Sequence, residues 1–125
     1  MATQNLTLTS FEQTIENNDI VLIDFWAAWC GPCRMFGPIF EEASESHEDM
    51  VFAKVDTEAE QNLASVFGIR SIPTLAVFRE GIMVFRQAGA LPAEALAELI
   101  QQVRDLDMED VRKKVAEAEA AEQPN

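Results

Sequence analysis

Ile20-Val21-Leu22-Ile23-Asp24-Phe25-Trp26 runs through Ala27-Ala28-Trp29 directly into Cys30-Gly31-Pro32-Cys33. The first seven residues are apolar at both alternating positions except Asp24, the pattern of a strand covered on both faces. Pro32 suits the first turn of a helix, where its missing N–H has no partner to lose. The segment therefore reads as a strand followed by a helix, with Cys30 at the helix N-terminus and Cys33 one turn in. Side chains three apart on a helix are neighbours, and their Cα atoms fall within disulfide range. A helix N-terminus carries partial positive charge and free N–H groups, which favour thiolate over thiol. The pattern points to reversible dithiol–disulfide chemistry.

Outward from this segment, Leu6-Thr7-Leu8 reads as a short edge strand. Thr9 and Glu12 have capping-box spacing for a helix running to about Asn17. The helix opened by Pro32 extends to about Glu48, with a kink rather than a stop at Pro38. Val51–Asp56 is the next strand. Asp56 or Thr57 then caps a helix over 59–67 that ends at Gly68. Thr74–Arg79 and Ile82–Ala88 form a hairpin around Glu80-Gly81. Pro92 opens an amphipathic helix with Leu96, Leu99, Ile100 and Val103 at helical spacing. This order describes an α/β fold: a central mixed five-stranded sheet with helices on both faces and an antiparallel closing hairpin.

At 125 residues the chain suits one domain that buries its own core. A formal charge of −13 argues against nucleic acid or an anionic membrane as partner. The two cysteines close too small a loop to brace a domain of this size. Met1 to Leu6 show neither a basic stretch nor an apolar core, and the Ile20–Cys30 run is too short for a bilayer, so a cytoplasmic protein is expected. A closed zinc site needs four ligands, whereas this chain offers two cysteines and His47, which lies ~21 Å from Cys33 along the helix. No metal is expected.

The stretch from Asp24 to Cys33, Lys54 in Phe52-Ala53-Lys54-Val55-Asp56, Gly68-Ile69-Arg70-Ser71-Ile72-Pro73-Thr74 and Gly89-Ala90-Leu91 together closely resemble the thioredoxin family. The resemblance covers roughly residues 6–105. It departs from the common pattern in Arg34 for Lys, in Gly37 where Ala is common, in the absence of tyrosine and in the C-terminal extension. It implies a thioredoxin fold over residues 1–106. It further implies a protein-disulfide reductase without bound cofactor, acting on protein disulfides as a monomer and recharged by an NADPH-dependent thioredoxin reductase. Cys30 is expected to be the more exposed sulfur and to attack; Cys33 resolves the mixed disulfide. Gly31 and Pro32 place no charge or imidazole beside the sulfurs, which implies a reductant. An oxidant or isomerase on the same fold, and a docking subunit with dispensable thiols, are the competing readings.

Asp24 sits where an unpaired carboxylate costs several kcal/mol, so its pKa should rise. Either it pairs with Lys54 on the neighbouring strand, or it takes the Cys33 proton during resolution. Trp26 reads as core beneath the site and Trp29 as exposed apolar surface. Pro73 resembles the family's cis-proline, which leaves the Ile72 backbone free to pair with an extended substrate; Gly89 and Ala90 complete that surface. Residues 107–125 carry six acids against three bases. Asp107 can cap a helix with Met108, Val111 and Val115 on one face, fraying towards Pro124.

Overall fold

The computed structural model describes residues 2–122. Its elements are β1 (Thr3–Asn5), α1 (Leu8–Asn17), β2 (Ile20–Trp26), α2 (Gly31–Ser46), β3 (Val51–Asp56), α3 (Gln61–Val66), β4 (Thr74–Arg79), β5 (Ile82–Ala88), α4 (Ala93–Arg104) and α5 (Met108–Glu122). The sheet order is β1-β3-β2-β4-β5. β1 and β2 run parallel to β3, while β4 is antiparallel to both β2 and β5. Among the described residues no helix is long and apolar enough to cross a membrane.

Side-chain alternation along β2 divides the core in two. Ile20 and Leu22 pack with Phe36 and Phe40 of α2 and with Leu96, Leu99, Ile100 and Val103 of α4. Val21, Ile23 and Phe25 pack on the other face with Ile15 of α1 and Leu63 of α3. All of these side chains are buried. Burying a large apolar side chain contributes roughly 1.5–3 kcal/mol, so the two clusters supply most of the drive to close this sheet.

Several local signals lie elsewhere than expected. The edge strand is Thr3–Asn5, not residues 6–8: Leu6 turns inward as a buried anchor and its N–H reaches the Lys54 carbonyl at 2.9 Å. The first helix is capped by Thr7, whose hydroxyl accepts the Ser10 N–H while the Ser10 hydroxyl accepts the Thr7 N–H. Thr7–Ser10 thus replaces the Thr9–Glu12 pair. α2 ends at Ser46, two residues early, with His47 as its cap. α3 begins only at Gln61, because the Asp56 carboxylate is engaged by the Glu58 and Ala59 N–H groups of the preceding turn. Glu80 and Gly81, both at positive φ, form the expected tight hairpin turn.

The extension is a helix docked by its first turns. Asp107 caps α5 by accepting the Glu109 and Asp110 N–H groups. Met108 is buried, Val111 and Val115 are half-buried, and 116–122 are exposed. Arg112 forms an ion pair with Glu80 at the hairpin turn. Pro124, where fraying was expected, lies outside the described residues.

One residue joins strand, α4 and extension. Arg79, at the end of β4, donates to the carbonyls of Val103, Arg104 and Leu106 at 2.7, 3.1 and 3.1 Å. It therefore satisfies the orphan acceptors at the α4 C-terminus and places a cation at the negative end of the helix. Arg79→Met should lower the unfolding free energy by about 2–4 kcal/mol in urea titration, given that charged hydrogen bonds contribute about 1.5–3 kcal/mol each and partly overlap here. A loss below ~0.5 kcal/mol would show that water replaces the guanidinium without penalty.

Candidate active site

α2 begins where β2 leaves the sheet, and Cys30 is its N-cap. Cys30 and Cys33 are joined by a disulfide with Cα atoms 5.2 Å apart. The Cys33 N–H donates to Cys30 Sγ at 3.2 Å, so an orphan donor of the helix's first turn is aimed at the sulfur. Cys30 Sγ also lies 3.5 Å from the Ile72 carbonyl oxygen, within reach of a thiol donor once the bond is reduced. As whole residues the two cysteines are almost equally buried, Cys30 at 3% and Cys33 at 4% exposed. The capping geometry folds the Cys30 side chain back onto the helix and against Ile72. Position distinguishes the pair: Cys30 caps the helix and Cys33 lies inside it.

The surrounding residues converge from four segments. Gly31 and Pro32 are exposed on the first turn of α2. Trp29 is 67% exposed, and its Nε1–H donates to Glu58 at 2.9 Å, which fixes the ring beside the disulfide. The Ile72–Pro73 peptide is cis. Gly89, at φ 103°, donates its N–H to the Pro73 carbonyl at 2.8 Å and so brings the exposed Gly89-Ala90 corner to the same face. That φ is one an L side chain rarely adopts. Two partners were not evident from the sequence. Arg34 turns back to donate to the Ala28 carbonyl at 2.8 Å, and Glu58 holds Trp29. The acidic turn after β3 is the only sequence signal for Glu58.

In β2, Asp24 is completely buried, and neither carboxylate oxygen has a hydrogen-bond partner among the described residues. Lys54 lies opposite it in the parallel register but does not form an ion pair with it. Its ammonium stands instead 5.0 Å over the Trp26 ring. The paired-acid reading is thus corrected: Lys54 acts on Asp24 through its field alone. Burial raises the Asp24 carboxyl to about 7, and attraction to Lys54 offsets part of that rise. A cleft of about 390 Å³ opens beside these groups, lined by Trp26, Cys33, Arg34, Gly37, Glu41 and Lys54 among others. His47 lies away from the site, accepting from Arg104 and stacking on Phe52.

Comparison with known proteins agrees with this geometry. The Thioredoxin family model matches residues 2–102. A thioredoxin-named protein of Streptomyces coelicolor is 57% identical over 119 residues, 95% of this chain and 89% of that protein. A match of that length takes in most of residues 107–125. The thioredoxin of Alicyclobacillus acidocaldarius is 46% identical over 103 residues, 82% of this chain and 98% of its own length. Among solved structures, a point-mutant thioredoxin from Halobacterium salinarum superposes with a TM-score of 0.76 at 38% identity, covering 83% of this chain and 91% of that one.

The buried acid gives a signed pH dependence. In the folded protein Asp24 binds its proton up to about pH 7, whereas an unfolded aspartate releases it near 3.8. Between those values the folded state holds more protons, so stability falls as pH rises through the window. The loss is on the order of 4 kcal/mol when complete. Asp24→Asn should therefore be more stable than the parent at pH 8, with the difference shrinking towards pH 4 in urea titrations of the oxidised proteins. A variant less stable at pH 8 would show that the carboxylate is held by favourable contacts.

Proposed function

This chain belongs to the thioredoxin family, and we propose that it works as a general reductant of protein disulfides, recharged by an NADPH-dependent thioredoxin reductase. Its chemistry is dithiol–disulfide exchange at Cys30 and Cys33, as in the protein-disulfide oxidoreductases of that family. The observation that carries the reading is the sulfur of Cys30 seated at the N-terminus of α2 with the Cys33 N–H directed at it.

In the proposed cycle the Cys30 thiolate attacks a substrate sulfur, and the substrate S–S bond breaks as the mixed disulfide forms. Cys33 then attacks Cys30 Sγ, the mixed disulfide breaks, and the second substrate thiol leaves. The helix N-terminus stabilises the attacking thiolate. Asp24, buried in β2 with its carboxyl raised to about 7, takes the Cys33 proton near neutral pH. Gly31 and Pro32 add no charged group to stabilise the dithiol further, which supports the reducing direction. Trp29, Ile72, Pro73, Gly89 and Ala90 form the shallow surface on which an extended substrate segment lies, its backbone pairing with Ile72. The chain acts as a monomer in the cytoplasm, a compartment that keeps dithiols reduced.

Cys33→Ser should permit attack and block release, so mixed disulfides with protein substrates accumulate and are seen on non-reducing gels. Cys30→Ser should lose disulfide reduction entirely. Full turnover by Cys33→Ser, assayed with NADPH, thioredoxin reductase and a protein disulfide, would reverse the two roles.

The catalytic domain is proposed to end at residue 106, with 107–125 an accessory helix. Deleting 107–125 removes Met108 and the Arg112–Glu80 pair but nothing that lines the site. The truncated protein should keep nearly all its turnover while losing about 1–3 kcal/mol of stability, the scale of one buried methionine. A large drop in kcat/KM at a temperature where the truncated chain is folded would place the extension in the reaction.

A further inference from the structure

Asp24 is fully buried, yet in the proposed cycle it must receive a proton from Cys33 and release it before the next turn. That release needs a route to solvent. β4 places the apolar Leu75 opposite Asp24, and β2 continues into Phe25 and Ile23 on the far face. The opening is on the α2 side. Trp26, on the same face of β2, and Lys54, in register with Asp24 on β3, both line the 390 Å³ cleft that also reaches Cys33. A space of that size takes several water molecules.

The charged groups on this cleft are Arg34 and Glu41 from α2 and Lys54 from β3. Glu41 is the carboxylate among them. Its Oε2 accepts from Thr3 Oγ1 of β1 at 2.7 Å, while Oε1 is buried without a partner among the described residues. Trp26 Nε1 is likewise buried and unpartnered. Cys33, Gly37 and Glu41 follow at intervals of four on one stripe of α2, spanning about 12 Å. Gly37 places no side chain between the other two; a Cβ there would meet only Lys54 Nζ, at 3.9 Å. The stripe thus leaves an unobstructed path from the disulfide to a held carboxylate.

We propose that Glu41 is the relay through which Asp24 exchanges its proton with solvent, across water in the cleft between α2 and β3. The inference rests on Asp24 as the acceptor from Cys33. The steps balance: the Cys33 proton passes to Asp24 as the Cys30–substrate S–S bond breaks, then through water to Glu41, and from Glu41 to bulk. The departing substrate thiolate takes its proton from solvent. Thr3 holds the relay carboxylate in place.

The test is repeated turnover of a protein disulfide by the full-length protein, with NADPH and thioredoxin reductase in excess, in dilute buffer at pH 7. Glu41→Gln keeps an oxygen for Thr3 and should slow turnover about tenfold, a modest part of what general acid–base groups supply. Added imidazole should restore the rate, because a small buffer base can carry the proton from the cleft. The attack step, isolated in a Cys33→Ser background, should be unchanged by Glu41→Gln. In an Asp24→Asn background Glu41→Gln should cost nothing further. A parent-like rate for Glu41→Gln, or a slow rate that imidazole leaves unmoved, overturns the relay while Asp24 keeps its role. A parent-like rate for Asp24→Asn alone overturns both.

Discussion

β2 has neither a free edge nor a free face. It is bonded to β3 along one side and β4 along the other, and side chains from α1 and α3 cover one face while α2 and α4 cover the other. A strand so enclosed can end only where its pairing ends, at Trp26. Its last carbonyl accepts both the N–H and the hydroxyl of Thr57, at 2.9 and 3.0 Å. The buried Ala27 then offers its carbonyl to the Cys30 N–H. The disulfide is therefore attached through three short links to the most constrained segment of the protein. A site mounted this way has its geometry set by elements already fixed by pairing and packing.

That frame contains two choices that stability alone would reject. A carboxylate with both oxygens unpartnered among the described residues lies in the central strand, and a glycine lies inside α2. Glycine costs a helix interior roughly 1 kcal/mol relative to alanine, and the buried acid costs several. Gly37 lines the cleft, and so do Trp26 and Lys54, the neighbours of Asp24 on its own face of β2 and across the register on β3. The hydrophobic clusters on either side of the sheet hold the fold with enough margin for these two departures to persist together. Such departures concentrate where activity needs a group in an environment that does not suit it.

Much of this was legible in the sequence, because the signals that place the site are short-range. The doubly apolar β2, the Cys30–Cys33 spacing and the proline at the helix start need no partner to be read. The boundaries of β2, β3, β4 and β5 and the buried face of α4 follow from periodicity for the same reason. What escaped depends on groups distant in sequence. Leu6 looks like a strand residue until the Lys54 carbonyl claims its N–H. Asp56 looks like a helix cap, but closing the turn after β3 uses its carboxylate first. The Asp24–Lys54 pair suggested by adjacent strands does not form, since the Trp26 ring offers the ammonium a position that leaves it at the solvated cleft. Nothing local marks Arg79, a strand-end arginine whose acceptors lie more than twenty residues away.

The acidity of the chain by itself excludes partners rather than naming any. Nine bases stand against twenty-two acids. At the end of the molecule formed by the hairpin turn, α4 and α5, Arg79, Arg104, Arg112 and Lys114 are each matched with a carboxylate. Arg34, Lys54 and Arg70 have no ion-pair partner among the described residues, and all three belong to segments that border the disulfide. Arg86 of β5 and Lys113 of α5 also lack an ion pair, and the carboxylates of Glu41 and Glu58 stand near the disulfide with these cations, so the three do not form an uncompensated patch. What favours an anionic sulfur at Cys30 is the N-terminus of α2, whose Cys33 N–H is aimed at it. Charge farther away than a Debye length of about 8 Å is largely screened by salt, so the net acidity of the chain reaches that sulfur only weakly.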